Sequence, residues 1–230
     1  MTRLAHRVRS AATVLGLFAA LAPLACSQRP LVEVRRLAPA HSAVRLVAVA
    51  PFYPAPSLSR SRGVKDESAW AAAALVSRFM AEALANRGFT VIAPSELETA
   101  FIGEGAIVPR GDGLAAASVA SRNFGATGVL LGEVFRYRER SGTAVGSEQP
   151  ASIAFRVTLF SAPEGRKVWV AEFDETQPSV TGDILRARQY PGRGSRWLTV
   201  AELAQFGARQ VAGEMPQPGV APQSDPGISE

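Results

Sequence analysis

The sequence predicts an α/β (α+β) fold with a single mixed β-sheet and helices packed on it, and three observations carry that reading. The run Val44–Phe52 is apolar on both faces, the pattern of a strand covered on both sides. Residues 69–87 carry apolar side chains at helical spacing. From residue 129 onward three segments alternate apolar and polar positions with period two, the mark of strands. The predicted order is β-α-β-α-β-β-β-α, a β-α-β opening that feeds an antiparallel meander.

Each element has a local reason. Ser68 can cap a helix over Ala69–Arg87, with Leu75, Val76, Phe79, Met80 and Ala83 forming its stripe and Gly88 ending it in a left-handed turn. Phe89–Ala93 is a short strand, and Ser95 with Glu98 three residues on resembles a capping box for a short helix. A glycine-rich loop, Gly103–Gly113, leads to a helix capped by Asp112 and closed at Phe124 by Gly125. The strands Val129–Tyr137, Ser152–Ser161 and Lys167–Glu175 follow, the last two joined by the turn Pro163-Glu164-Gly165. Val129, Leu131, Phe135 and Tyr137 are expected on one face, as are Ile153, Phe155, Val157 and Leu159. A last helix spans about Thr199–Ala212, and the sequence contains no internal repeat.

The amino terminus stands apart from this domain. Arg3, Arg7 and Arg9 precede an apolar run from Ala11 to Ala25 and then Cys26. That run has the length of a signal-peptide core and falls short of the roughly 20 residues that span a bilayer. Cys26 is the single cysteine of the chain, so it can form no internal disulfide. Its position after Leu24-Ala25 resembles a lipobox, in which the thiol is lipidated and the preceding peptide removed; Pro23 stands where Leu is usual. The expected organisation is therefore a signal peptide over 1–26 with lipid on Cys26, a flexible tether over 27–43, one domain over 44–213, and a disordered tail over 214–230. The tail reading rests on Met215–Glu230, which holds four Pro and two Gly among polar residues.

Composition excludes several functions. The formal net charge is +5, but residues 1–26 hold three basic and no acidic residues, leaving +2 on the rest. That is no electrostatic footprint for nucleic acid. Of the two histidines only His41 follows Cys26, and it lies in the tether, so neither a histidine-based metal site nor a Ser–His–Asp arrangement can be assembled in the domain. The pairs Gly103–Gly105 and Gly111–Gly113 lack the Lys-Ser/Thr of a phosphate loop and the full spacing of a dinucleotide fingerprint. No cofactor and no catalytic residues are expected. Glu133 is the one candidate for carboxylate chemistry: it shares a strand face with Val129 and Leu131, where it needs a partner such as Arg156 or Arg136. The run Arg136–Arg140 is expected to be a solvated strand end. Trp169, Phe173 and Trp197 could anchor a partner-binding surface, but their pattern favours core packing.

Three stretches together carry a family resemblance: Val47–Phe52, Gly125–Val134, and Gly165–Trp169 followed by Phe173–Gln177. Over roughly residues 44–213 the chain is similar to periplasm-facing bacterial envelope lipoproteins of unassigned role. These share a small α/β domain with the curli secretion lipoprotein, the penicillin-binding-protein activator lipoprotein and the TolB amino-terminal domain. The resemblance implies a binding or assembly module, not an enzyme, held to the membrane by its lipid and meeting an envelope protein or the cell wall. Ser27 after the cysteine, by resemblance to enterobacterial sorting, implies the periplasmic leaflet of the outer membrane. The chain lacks the long alternating hairpins that would cross a membrane as a barrel. A carboxylate-dependent envelope enzyme working through Glu133 is the alternative.

Overall fold

In the computed structural model, which describes residues 30–37, 44–59, 66–108, 110–143, 147–179 and 184–219, one seven-stranded mixed sheet carries the chain. Its strands are β1 (Val32–Arg36), β2 (Leu46–Val49), β3 (Tyr53–Pro54), β4 (Thr90–Ile92), β5 (Gly128–Arg138), β8 (Ser152–Ser161) and β9 (Lys167–Thr176). A short ribbon, β6 (Ser141–Gly142) with β7 (Ser147–Gln149), sits between β5 and β8. The helices are α1 (Pro56–Ser59), α2 (Asp66–Asn86), α3 (Pro94–Gly103), α4 (Gly113–Phe124), α5 (Ile184–Ala187) and α6 (Val200–Glu214), with a 3₁₀ turn at Pro191–Gly194. The spatial order is β1-β9-β8-β5-β2-β4, and β3 continues beside β5. Strands β2, β3, β4 and β5 run parallel, as the crossover helices require, and β5, β8, β9 and β1 run antiparallel. The α/β class and single mixed sheet expected from the sequence are thus present.

Two apolar layers form on opposite faces. On one, α2 and α6 pack side by side over Val47, Leu130, Val134, Phe155, Trp169 and Phe173. On the other, α3 and α4 cover Ala48, Val129, Leu131 and Phe160. The expected faces of β8 hold, with Ile153, Phe155, Val157 and Leu159 all in the first layer. In β5 a register shift between Val134 and Arg136 alters the expectation. Val129 and Leu131 face α4, while Tyr137 packs on the opposite layer, because one extra residue turns the strand over.

Beneath α6 lies an aromatic stack. Phe155 and Phe173 have ring centroids 5.6 Å apart, Phe173 meets Phe206 edge-on at 6.2 Å, and Tyr190 lies 5.2 Å from Phe206. The helix reaches this stack because residue 207 is glycine: a Cβ there would lie 2.6 Å from the Phe173 ring. Thr199 caps α6 by accepting from the Glu202 N–H, and Glu202 accepts from the Thr199 N–H, a reciprocal box. Asp112 caps α4 through the Leu114 and Ala115 N–H groups, and Gly125 closes it at φ 68°, both as expected.

Four further expectations about the fold need correction. Residues 32–36, placed in the tether, pair with β9 from Val32↔Phe173 to Arg36↔Trp169, and Val32 packs into the core. The expected capping box of Ser95 and Glu98 does not form: α3 starts two residues earlier, with Ala93, which has no side-chain acceptor, at the cap, Pro94 next, and the Glu96 carboxylate accepting from the Ala93 N–H at 2.7 Å. Arg136–Arg140 is more than a solvated end. Arg136 donates to Ser152 Oγ and pairs with Asp174, Glu139 accepts from the Val200 N–H at 3.3 Å, and Arg140 donates to the Trp197 carbonyl at 2.7 Å. The start of the tail is docked: Met215 is buried, Arg87 donates to its carbonyl, and the Gly219 N–H donates to the Val44 carbonyl. The signal peptide, Cys26, His41 and residues 220–230 lie outside the described residues.

Two outcomes follow from this packing. Met215→Ala should cost about 2–5 kcal/mol, the range for emptying a buried site of that size; urea denaturation reads it, and a loss below about 0.5 kcal/mol would show the segment undocked. The Arg196 guanidinium and the Thr199 cap hold the Glu202 carboxyl at about 2. A depressed folded value means this stabilisation is complete above the ordinary carboxylate range and is lost as pH falls towards 2. Denaturation midpoints of the parent should therefore fall across that window more steeply than those of Glu202→Gln.

Candidate functional site

The parallel half of the sheet has a topological switch point. The chain leaves β2 for α2 on one face, whereas it leaves β4 for α3 and α4 on the other. In open α/β sheets the crevice outside the strand carboxyl ends at such a point is where ligands bind. A cavity of about 280 Å³ lies here, lined among others by Tyr53, Trp70, Phe101, Ile102, Ile107 and Arg110. Trp70 is 42% exposed, Ile102 68% and Ile107 86%, so the rim is apolar and open to solvent. The Arg110 guanidinium stacks over the Trp70 ring at 4.8 Å. Among the described residues, Glu98 is the one carboxylate that lines this cleft, and the lining holds no Ser, Thr, Cys, Lys or His side chain. Such a rim suits the capture of an apolar side chain or segment better than bond-breaking chemistry.

Tyr53 also borders a second, more polar cavity of about 180 Å³, walled by Glu133, Arg156, Thr158, Phe160 and Lys167. It opens on the part of the sheet that α3 and α4 leave uncovered. There the strand register sets a row of side chains at one level: Tyr53, Glu133, Arg156, Glu172 and Glu33. Arg156 donates to Glu172 through Nε at 3.1 Å and Nη2 at 2.8 Å, and its guanidinium lies 5.1 Å from the Phe135 ring. Arg136, the other expected partner of Glu133, is taken by Asp174. Glu133 is therefore half-buried opposite an arginine already engaged elsewhere. Burial pushes its carboxyl above the ordinary range, against the pull of Arg156. The Tyr53 hydroxyl is raised too, by burial and then by the Glu133 charge.

The glycine-rich loop lies beside this second cavity with a packing role. A Cβ on Gly113 would lie 2.0 Å from the Phe160 ring, so α4 begins in contact with β8 only because that residue is glycine. The described residues contain no cluster of His, Cys, Asp and Glu able to hold a metal ion.

The aromatic residues singled out in the sequence are not brought together as a surface. Trp169 and Phe173 are fully buried in the layer beneath α6, which corrects their assignment to a partner-binding site: their strand faces alternate into the core. Trp197 is half-buried where the chain approaches α6, with its carbonyl held by Arg140. Sequence reasoning missed Trp70, Ile102 and Ile107. The available signal was an aromatic residue off the apolar stripe of α2, and two isoleucines in and after the last turn of α3.

The raised Glu133 carboxyl fixes the sign of one outcome. Folding disfavours its ionised form, a penalty present above the folded pKa and absent below the unfolded one. Glu133→Gln should thus be at least as stable as the parent at neutral pH, the difference vanishing below about pH 4. A clear loss of stability at neutral pH in thermal denaturation would contradict this placement.

No family model and no curated protein matches the chain. Among solved structures it is similar to the PelC dodecamer from Paraburkholderia phytofirmans, with 17% identity over 78% of this chain and 94% of that one at a TM-score of 0.44. It is also similar to lipoprotein GNA1162 from Neisseria meningitidis, at 17% identity over 55% and 79% with a TM-score of 0.38. The LpoB C-terminal domain from Escherichia coli gives 19% identity over 59% and 85% with a TM-score of 0.35.

Proposed function

We propose that this chain is a lipid-anchored, periplasm-facing binding or assembly module of the bacterial cell envelope. The observation that carries the reading is the single cysteine, Cys26, set at the end of a short apolar run behind three arginines. Several acyl chains on that residue hold a soluble domain to a bilayer, since each buried methylene contributes about 0.8 kcal/mol. Ser27 favours the periplasmic leaflet of the outer membrane. The domain then offers the apolar cleft of Trp70, Ile102 and Ile107 to an envelope protein or a cell-wall partner. Metabolic labelling with an alkyne fatty acid tests the anchor. The parent should be labelled and sediment with membranes, and Cys26→Ser should lose both properties; unchanged membrane association in Cys26→Ser would overturn it.

A second reading is favoured by one observation, the raised carboxyl of Glu133 in a cavity with Tyr53, Arg156 and Lys167. A general acid needs such a carboxyl, and its removal costs about 10²–10⁴ in rate. Purified protein that turns over an envelope substrate, with Glu133→Gln folded but inactive, would establish the enzyme and displace the binding module.

A further inference from the structure

The lipid, if placed on Cys26 as proposed above, does more than retain the domain: it fixes which end of the sheet meets the bilayer. Only residues 27–31 separate Cys26 from the first residue of β1. Six Cα–Cα steps reach at most about 20 Å. β1 begins beside the carboxyl end of β9, at Val32↔Phe173. The same pole of the sheet holds the end of β5 at Arg138 and the start of β8 at Ser152, since Arg138 pairs with Ser152 and Ser152 with Thr176. It also holds the α5 segment, tied down by Glu175, which accepts from Tyr190 Oη at 2.6 Å and pairs with Arg186. Gln177 completes the tie, donating to the Arg196 carbonyl and accepting from the Leu198 N–H.

Among the described residues at this pole, Asp174 is engaged with Arg136, Glu175 with Arg186, Glu202 with Arg196, and Glu139 with the first turn of α6. Arg138 and Arg188 are exposed, and no hydrogen bond or ion pair engages either among the described residues. Leu185 projects from α5 at 59% exposure, three residues before Arg188. Two exposed guanidinium groups and an exposed leucine, all at the end nearest the lipid, match a phospholipid surface: cations meet headgroup phosphates and the leucine enters the acyl boundary.

We infer that this pole is a lipid-docking surface that seats on anionic phospholipid headgroups through Arg138 and Arg188, with Leu185 inserted between them. Two arginines at an anionic surface raise the docked population only about 30-fold, too little to recruit a free protein yet enough to orient a tethered one. Docking leaves the β8–β9 turn pointing away from the membrane, about 30 Å off along the ten-residue strands.

The full chain, matured and purified in detergent, is reconstituted into vesicles of equimolar phosphatidylethanolamine and phosphatidylglycerol. Mass spectrometry of the same sample reads the modification on Cys26. With that thiol lipidated, Leu185→Cys carries the one free thiol for an environment-sensitive fluorophore, and Glu164→Cys in the β8–β9 turn carries it at the far pole. The label at 185 should shift to the blue and be quenched by nitroxide-bearing lipids, and the label at 164 should remain aqueous. In the Leu185→Cys background, Arg138→Glu with Arg188→Glu should reduce that quenching about tenfold or more, as should phosphatidylcholine vesicles. Lipid on Cys26 with an aqueous label at 185, or with equal quenching at both positions, overturns the docking surface and leaves the anchor standing. An unmodified Cys26 overturns the anchor and the docking that rests on it.

Discussion

β5 is the strand on which the rest of the domain depends. It is hydrogen-bonded in parallel to β2 and β3 on one side and antiparallel to β8 on the other, so it alone joins the β-α-β half to the meander. Its successive residues serve two cores, Leu130 and Val134 under α2, Val129 and Leu131 under α4. Both faces must therefore be apolar along its first half, which is why residues 128–134 read as a nearly unbroken hydrophobic run. Glu133 interrupts that run where the covering helices end, and the register shift follows at once. The consequence is a sheet with one face covered throughout and the other covered over its parallel strands and the adjoining end of β8.

That uneven cover sets the chemistry of the surface. The antiparallel strands meet solvent on one face, and there Arg156–Glu172 and Arg136–Asp174 occupy positions that would be apolar if helices lay over them. Half-exposed pairs of this kind contribute little to stability. Their effect is to keep an open sheet face polar and to commit the arginines, leaving Glu133 without a dedicated cation. The apolar cleft lies at the other boundary, where the rim of α2 and the loop after α3 fail to close over the ends of β2 and β4. Polar sheet face and apolar cleft share Tyr53, so both are edges of the same covering layer.

Strong periodic signals were legible in the sequence. The alternation of β8 and β9, the Asp112 cap and Gly125 terminator of α4, and the Thr199 start of α6 each depend on neighbours a few residues away. What escaped depends on distant partners. β1, Val-Glu-Val-Arg-Arg, has too few apolar residues to announce itself and becomes a strand because β9 offers a free edge more than 130 residues later. The burial of Trp169 and Phe173 follows from α6 and from Gly207, neither of which lies within 30 residues of both. The cleft was illegible for the same reason, since Trp70, Ile102 and Ile107 meet only through the topology. The α3 cap was misplaced for a local reason: Pro94 is favoured in a first helical turn, and it moves the start two residues ahead of Ser95.

β1 links the fold to the proposed anchor. If its five residues are part of the sheet, the span from Cys26 to the folded domain is short and a lipid on Cys26 would hold one pole near a bilayer; if they are free, an anchored domain could adopt any orientation. Amide hydrogen exchange on the full chain distinguishes the two most directly. The Leu37 N–H donates to the Val168 carbonyl at 3.0 Å, and Val32–Arg36 pair with β9 along their whole length. The account predicts that amides of Val32–Leu37 engaged with β9 exchange slowly, together with the β9 amides they face. Exchange of that segment at the rate of an unstructured peptide, with β9 still protected, would contradict it.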